Sequence, residues 1–109
     1  MNEIKLSEVM QKIDSFCTER DWDQYHTPKD LAIGAVTEAS ELLELFRFQS
    51  NAEVDELMQD EEFRIAVGDE LADVLFFVAR FSSHYGFDLA AHFERKMQKN
   101  AAKDPVGTR

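Results

Sequence analysis

Residues 61–85 read EEFRIAVGDELADVLFFVARFSSHY, and this stretch predicts the longest helix of the chain. At about 100° per residue, one stripe of apolar side chains falls within about 40° of Glu70. The members of this stripe are Phe63, Val74, Phe77 and Phe81. Asp73 lies at the edge of the stripe, one turn after Glu70, and Gly86 supplies a C-terminal stop. An acid therefore sits in the middle of a helix face that should be buried.

A second predicted helix, over residues 28–48, repeats this arrangement. Thr27 is its expected N-cap, and Pro28 suits the first helical position. Its apolar stripe falls within about 60° of Glu38. The members are Leu31, Ala35, Leu42 and Leu45. Glu41 lies at the edge one turn on, so two helices carry the same pair of acids.

The remaining sequence predicts two more helices and no sheet. The first helix covers residues 7–20 with Ser7 as its N-cap, and the last runs from its cap, Asp88, to about residue 102. Residues 52–60 are acidic and predict either a loop or a short helix. Four amphipathic helices with short connections indicate an all-α protomer built like a four-helix bundle.

Length and composition indicate one helical domain over residues 1–109, with residues 103–109 as a flexible tail. The apolar share of 44% and the nine Phe residues suffice for a packed core. A chain of this length buries a modest fraction of its surface and gains much from association. We therefore expect a homo-oligomer, either a dimer or, preferentially, a tetramer of paired dimers.

The formal net charge of -10 disfavours binding to nucleic acid polymers, because an acidic surface repels phosphate backbones. The charge is uneven. Residues 95–109 carry five basic residues and one acidic residue, whereas residues 1–94 carry seven basic and 21 acidic residues. An acidic body with a basic end suits an anionic ligand held between the basic end and bound cations. The basic residues also suit the last turns of a helix because of its dipole.

The chain has the features of a cytoplasmic protein. Cys17 is the only cysteine, so no disulfide framework is possible. The first ten residues, MNEIKLSEVM, lack the apolar stretch of a signal peptide. The longest apolar run, residues 74–79, is far too short to span a membrane.

The carboxylates on the two central stripes call for a cation. A buried carboxylate without a partner is costly, and four acids together repel one another. Neither stripe contains a basic residue, and the nearest, Arg80, lies on the Asp73 side of its helix. A set of carboxylates without nearby Cys favours a hard ion, Mg²⁺ first and Mn²⁺ second. Mg²⁺ held by a few carboxylates is a common platform for phosphate chemistry.

Two alternatives remain open at this point. A di-iron bundle would use Glu-x-x-His motifs, but Glu41 and Asp73 occupy the two places where His would be needed. The other alternative is a non-catalytic helical interaction or regulatory module with a vestigial acidic site. Binding of Mg²⁺ together with a triphosphate separates that module from an enzyme.

The motif Glu38-x-x-Glu41 followed by Glu70-x-x-Asp73 resembles the metal motif of the MazG-like, all-α nucleoside triphosphate pyrophosphohydrolases. The resemblance is closer to the short branch that includes the dCTP pyrophosphatases. It extends over about residues 16–105. The supporting stretches are Arg20-Asp21-Trp22, Tyr25-His26-Thr27-Pro28, Glu41-Leu42-x-Glu44-Leu45-Phe46, Asp69-Glu70-Leu71-Ala72-Asp73-Val74-Leu75 and Lys96-Met97-x-x-Asn100.

This resemblance implies a reaction and a set of roles. Water attacks between the α- and β-phosphates of a nucleoside triphosphate, which gives a nucleoside monophosphate and pyrophosphate for house-cleaning of the nucleotide pool. Glu38, Glu41, Glu70 and Asp73 are the implied Mg²⁺ ligands and catalytic residues. Glu41 is alternatively the group that accepts the proton of the attacking water.

The resemblance also implies the substrate contacts. Lys96, Asn100 and Lys103 would contact the phosphates, either in their own subunit or from a neighbouring one. Trp22, His26 and Phe48 are the candidates for stacking or edge contacts with the base. Phe48 stands where the dCTP pyrophosphatases have Trp, and Phe77 stands where a Tyr can occur. These departures leave dCTP as one candidate among several substrates.

Overall fold

The computed structural model describes residues 3–107 of the chain, and these residues form five α-helices and one short 3-10 turn, with no strand among them. The 3-10 turn covers Asp23–Tyr25. The helices are α1 (Leu6–Glu19), α2 (Pro28–Glu44), α3 (Asn51–Leu57), α4 (Glu61–His84) and α5 (Leu89–Lys103). The all-α prediction is confirmed, and a fifth helix, α3, is added to the four expected.

Side-chain caps set the beginnings of most helices. The Thr27 hydroxyl accepts a hydrogen bond from the Asp30 amide at 3.1 Å, and an Asp88 carboxylate oxygen accepts one from the Ala91 amide at the same distance. The predicted Ser7 cap is wrong. The chain enters α1 through the extended Lys5, whose carbonyl accepts from the Val9 amide at 3.1 Å, so Ser7 lies inside the helix.

The predicted end of α2 at residue 48 is also wrong. The Leu45 amide donates to the Leu42 carbonyl three residues back, and this tighter bond ends the α-helix at Glu44. Ser50 then begins α3 with a capping box. Its hydroxyl accepts from the Glu53 amide, while the Glu53 carboxylate accepts from the Ser50 amide. The acidic segment is therefore a short helix, the second of the two forms expected for it.

Two helices end in the same left-handed turn. At the end of α4, Gly86 adopts φ 70°, and the Phe87 amide donates to the Ser82 carbonyl. At the end of α1, Asp21 adopts φ 58°, and the Trp22 amide donates to the Cys17 carbonyl. The first turn confirms Gly86 as a stop. The second turn uses an aspartate where glycine is usual and directs the chain into the segment that carries Trp22 and His26.

Helices α1 and α2 both pack on α4, which is the centre of the protomer. The α2–α4 contact joins the two predicted apolar stripes, and the Phe46 and Phe63 rings meet edge to face at 5.7 Å between centroids. At the α1–α4 contact the rings of Phe16 and Phe76 meet edge to face, with 6.3 Å between their centroids. Cys17 is fully buried at the same contact. Helix α5 makes few contacts with the other helices, so its Phe93 and Met97 remain exposed.

No helix within residues 3–107 combines the length and apolar character needed to cross a membrane. The expected tail over residues 103–109 begins at the last residue of α5. Thr108 and Arg109, the end of that tail, lie outside the described residues.

Candidate metal centre

Helices α2 and α4 bring three of the four predicted carboxylates together. One oxygen each from Glu38, Glu41 and Glu70 lies within 4.8 Å of the other two. Glu38 and Glu70 are partly buried on facing stripes, and Glu41 stands at the exposed side of the group. The angular argument from the sequence therefore holds across the α2–α4 contact.

Two oxygens of this group receive no hydrogen bond from the residues that the structure describes. The Oε2 atoms of Glu38 and Glu70 are buried, and neither has a hydrogen-bond partner among the described residues. Loss of solvation, together with the neighbouring Glu41 and Asp73, raises the pKa of both carboxyl groups above the usual glutamate range. Buried oxygens that lack a donor and repel one another are suited to a shared divalent cation.

Asp73 stands outside the close group of three. It is exposed on the next turn of α4, yet its charge contributes to the raised pKa values of Glu38 and Glu70. The structure thus places Asp73 near the carboxylate group without placing it in that group. Its ligand role stays a prediction.

Residues 3–107 supply no cation to these acids. None of the salt bridges among residues 3–107 involves Glu38, Glu41, Glu70 or Asp73. Arg80, which the sequence placed on the Asp73 side of α4, pairs instead with acids of α1 and the 3-10 turn. Compensation of the acids from within the described chain is therefore absent, which favours a metal ion.

The three candidate base contacts lie on different elements. Trp22 is 38% exposed and meets Phe16 edge to face, with its ring 6.3 Å from that of His26. Phe48 is 81% exposed, and the Arg47 guanidinium lies over its ring, with the guanidinium carbon 4.5 Å from the ring centroid. The Trp22–His26 pair is therefore assembled within the protomer, whereas Phe48 projects from the turn after α2.

The candidate phosphate contacts lie on α5. Lys96 and Lys103 are exposed and Asn100 is partly exposed. None of their side chains forms a hydrogen bond or salt bridge within residues 3–107. Their role as phosphate ligands stays a prediction.

Sequence reasoning missed a polar cluster at the α1–α4 contact. Arg80 is 2% exposed and contacts Asp14, Asp23 and His26, which lie 54 to 66 residues earlier in the chain. The short segment Asp21–His26, rich in acidic and aromatic residues, was the one signal for it. Nothing in that segment indicates which helix supplies the arginine.

A solved structure matches this fold over nearly its whole length. A pyrophosphatase from Archaeoglobus fulgidus aligns with a TM-score of 0.84 and 31% identity, covering 96% of each chain. This chain belongs to the MazG-like pyrophosphohydrolases. The all-helical fold that the sequence indicated is thus the fold of a known enzyme family.

Curated relatives place this MazG-like chain near one branch of the family. It is 34% identical over 101 residues to dCTP pyrophosphatase 1 of Rattus norvegicus and 31% identical over 101 residues to that of Homo sapiens. Each alignment covers 93% of this chain but only 59% of the relative, so the chain spans about three fifths of the length of these proteins. No family model matches the chain.

Proposed function

We propose that this chain is a Mg²⁺-dependent nucleoside triphosphate pyrophosphohydrolase. It cleaves between the α- and β-phosphates and releases a (deoxy)nucleoside monophosphate and pyrophosphate. The observation that carries this proposal is the meeting of carboxylate oxygens of Glu38, Glu41 and Glu70 within 4.8 Å, where two buried oxygens have no donor among residues 3–107. Such an enzyme would cleanse the nucleotide pool of the cytoplasm.

The residues present fit a hard divalent ion. Glu38 and Glu70 would hold it through their unpartnered oxygens, and Asp73 would add charge from the next turn. Mg²⁺, with Mn²⁺ as a substitute, would offset the charge on the phosphates and lower the pKa of bound water. Glu41, at the exposed side of the group, is either a further ligand or the acceptor of the water's proton.

The base would lie against the aromatic segment after α1. Trp22 offers a partly exposed ring for stacking, and His26 offers an imidazole edge beside it. The names of the curated relatives make dCTP the first substrate to test. Phe48 and Phe77 retain the aromatic faces found in that branch but carry no hydrogen-bond donor, so stacking would persist while edge recognition changes.

A neighbouring copy of the chain would complete the site. The phosphate-binding candidates Lys96, Asn100 and Lys103 lie on α5, which makes few contacts with its own protomer. The basic α5 of one subunit is complementary in charge to the carboxylate group of another. We place these residues in a homo-oligomer, preferentially a tetramer of paired dimers.

Product analysis with the eight common NTPs and dNTPs and Mg²⁺ in ¹⁸O-labelled water tests the activity. We expect monophosphate and pyrophosphate in equal amounts. The position of the label in one of these two products identifies the phosphorus that water attacks. A diphosphate with orthophosphate would contradict the assignment. If calorimetry shows no binding of Mg²⁺ with a non-hydrolysable triphosphate, the non-catalytic module is the better reading.

A further inference from the structure

Among residues 3–107, Arg80 is the most buried charged side chain, at 2% exposure. Each nitrogen of its guanidinium has a separate partner. Nη1 donates to Asp14 at 2.7 Å, Nη2 donates to Asp23, and Nε donates to Nδ1 of His26 at 2.8 Å. Two carboxylates already compensate the single positive charge, so the bond to His26 is not needed for charge balance.

The bond from Nε fixes the protonation pattern of the His26 ring. An arginine Nε always carries its hydrogen and cannot accept, so Nδ1 of His26 must be the unprotonated nitrogen. The remaining ring proton then lies on Nε2. No hydrogen bond from Nε2 is formed within residues 3–107, so this N–H remains available to a ligand.

The surroundings hold both partners in place. The Tyr85 hydroxyl donates to the His26 carbonyl at 2.7 Å, which ties the backbone of His26 to the end of α4. Asp14 also accepts from the Ser83 hydroxyl, and Asp23 accepts from the Thr18 hydroxyl at 3.1 Å. The guanidinium plane is therefore set from both α1 and α4.

The charges that face His26 oppose its protonation. Burial has the largest effect and, with Arg80 and His84 on α4, it lowers the pKa of His26, while Asp23 and Asp30 act weakly in the opposite direction. A proton added at Nδ1 would also meet the Nε hydrogen of Arg80 directly. Geometry and charge thus favour the same neutral form of the ring.

We propose that Arg80 is a positioning residue that holds His26 with its proton on Nε2, so that this N–H is donated to an uncharged acceptor on the nucleobase beside Trp22. The acceptor would be a ring nitrogen or carbonyl oxygen. This inference rests on the proposed nucleotide hydrolysis. It assigns Arg80 to recognition of the base and not to the carboxylates proposed to hold the metal.

Nitrogen NMR of the wild-type protein tests the first half of the proposal. Long-range ¹H–¹⁵N correlation of the imidazole should show Nδ1 unprotonated and Nε2 protonated at neutral pH, with no hydrolysis required. The variant Arg80→Lys keeps the charge but loses the planar fork, so His26 should populate both tautomers and titrate at higher pH. A wild-type His26 protonated on Nδ1 would overturn the proposal without any variant having to fold.

Kinetics tests the second half. Arg80→Lys should raise KM for the preferred nucleotide about five- to tenfold, because one neutral hydrogen bond to the base is lost. It should change kcat much less. His26→Ala should do the same, whereas His26→Gln should restore most of the affinity, because its amide places a donor near the position of Nε2. Arg64→Lys, an exposed arginine on the same helix, is the control and should behave as wild type.

The double variant Arg80→Lys/His26→Gln completes the cycle. If Arg80 acts through His26, the double variant should lose no more affinity than His26→Gln alone. Additive losses would overturn a role through His26 and leave Arg80 as a structural ion pair. A wild-type protein that hydrolyses no triphosphate would instead overturn the proposed function and, with it, the contact of His26 with a substrate. The NMR spectrum would still determine which nitrogen of His26 carries the proton.

Discussion

At the scale of single residues, Glu70 has a buried carboxylate oxygen that no donor of the described chain reaches. Glu70→Gln replaces the charge with an amide and removes the repulsion by Glu41 and Asp73. We expect this variant, without metal, to melt at the wild-type temperature or above. Mg²⁺ should then raise the melting temperature of the wild type but not that of the variant.

The control for this prediction is Glu62→Gln, an exposed acid in the first turn of the same helix. This variant should keep both turnover and the stabilisation by Mg²⁺. A Glu70→Gln protein that still hydrolyses triphosphates would count against the metal centre.

His26 gives the folding free energy a pH dependence of definite sign. Its folded-state pKa is lowered by burial and by Arg80, so the unfolded chain binds the proton more readily. The contribution of His26 to stability is therefore complete above its ordinary pKa of about 6.5 and declines as the pH falls below that value. Asp23, whose pKa is lowered by its bond to Arg80, acts with the same sign at lower pH.

Urea unfolding at about pH 7.5 and about pH 5.5 measures this effect. The wild type should lose more stability between the two values than His26→Gln does. His92→Gln, an exposed histidine on α5, should show the wild-type loss. An equal loss in the wild type and in His26→Gln would contradict the prediction.

The sequence predicted the carboxylates better than it predicted the arginine. Glu38 and Glu70 could be found because their angular position depends only on the helix that carries each of them. Arg80 could not, because its partners Asp14 and Asp23 are 66 and 57 residues away, and one helix does not reveal which neighbour packs on its other side. Pairing across helices is a property of the tertiary structure.

At the scale of elements, Gly34 sets the approach of α2 to α4. A methyl group built on Gly34 would overlap the ring of Phe77, so the ring lies directly against the helix backbone. Gly34 is one turn before Glu38, and Phe77 is one turn after Asp73. The close contact therefore lies next to the carboxylate group. It controls the distance between Glu38 on α2 and Glu70 on α4.

We expect Gly34→Ala to destabilise the protein by about 1–3 kcal/mol through overpacking, despite the better helix propensity of alanine. It should also weaken Mg²⁺ binding, because Glu38 moves away from Glu70. The control is Gly68→Ala, where the added methyl group would meet no atom of residues 3–107 within 4 Å beyond its own stretch of helix and should stabilise α4 by up to about 1 kcal/mol. Thermal unfolding and Mg²⁺ calorimetry measure both effects, and equal behaviour of the two variants would refute this account.

Element boundaries were predictable where side chains cap the helix. Thr27 and Asp88 bond the amides three residues on, as their residue types indicate. Ser7 has the same chemistry, yet the N-cap is Lys5, two residues earlier, and it makes no side-chain cap bond. The Ser7 side chain could cap a helix. The helix begins earlier because the Lys5 carbonyl already accepts the first helical hydrogen bonds.

At the scale of the whole molecule, the protomer is more open than a stable monomer of its size. Its accessible surface is 8711 Å², against about 6,200 Å² for a typical folded chain of this mass. Its radius of gyration is 16.8 Å, whereas a compact domain of this length has a radius of gyration of about 13 Å. The excess is the size of an extensive subunit interface, which supports the proposed homo-oligomer.

Val36 tests this association. It is 70% exposed on α2, with Ile33 and Leu43 also exposed on that helix, so a charge there costs little in an isolated protomer. Val36→Lys should dissociate the oligomer or lower its melting temperature in a concentration-dependent way. Light scattering after size exclusion measures the mass, with Ala52→Lys on α3 as the control; a wild-type monomer would refute the association.

The reactivity of Cys17 measures how often α1 separates from α4. Its thiol is fully buried, burial raises its pKa, and it is the only thiol of the chain. An alkylating reagent can therefore reach it only after α1 separates from α4. The rate of alkylation, followed by mass spectrometry, then reports how often the two helices separate. A nucleotide that binds to Trp22 and His26 should lower this rate.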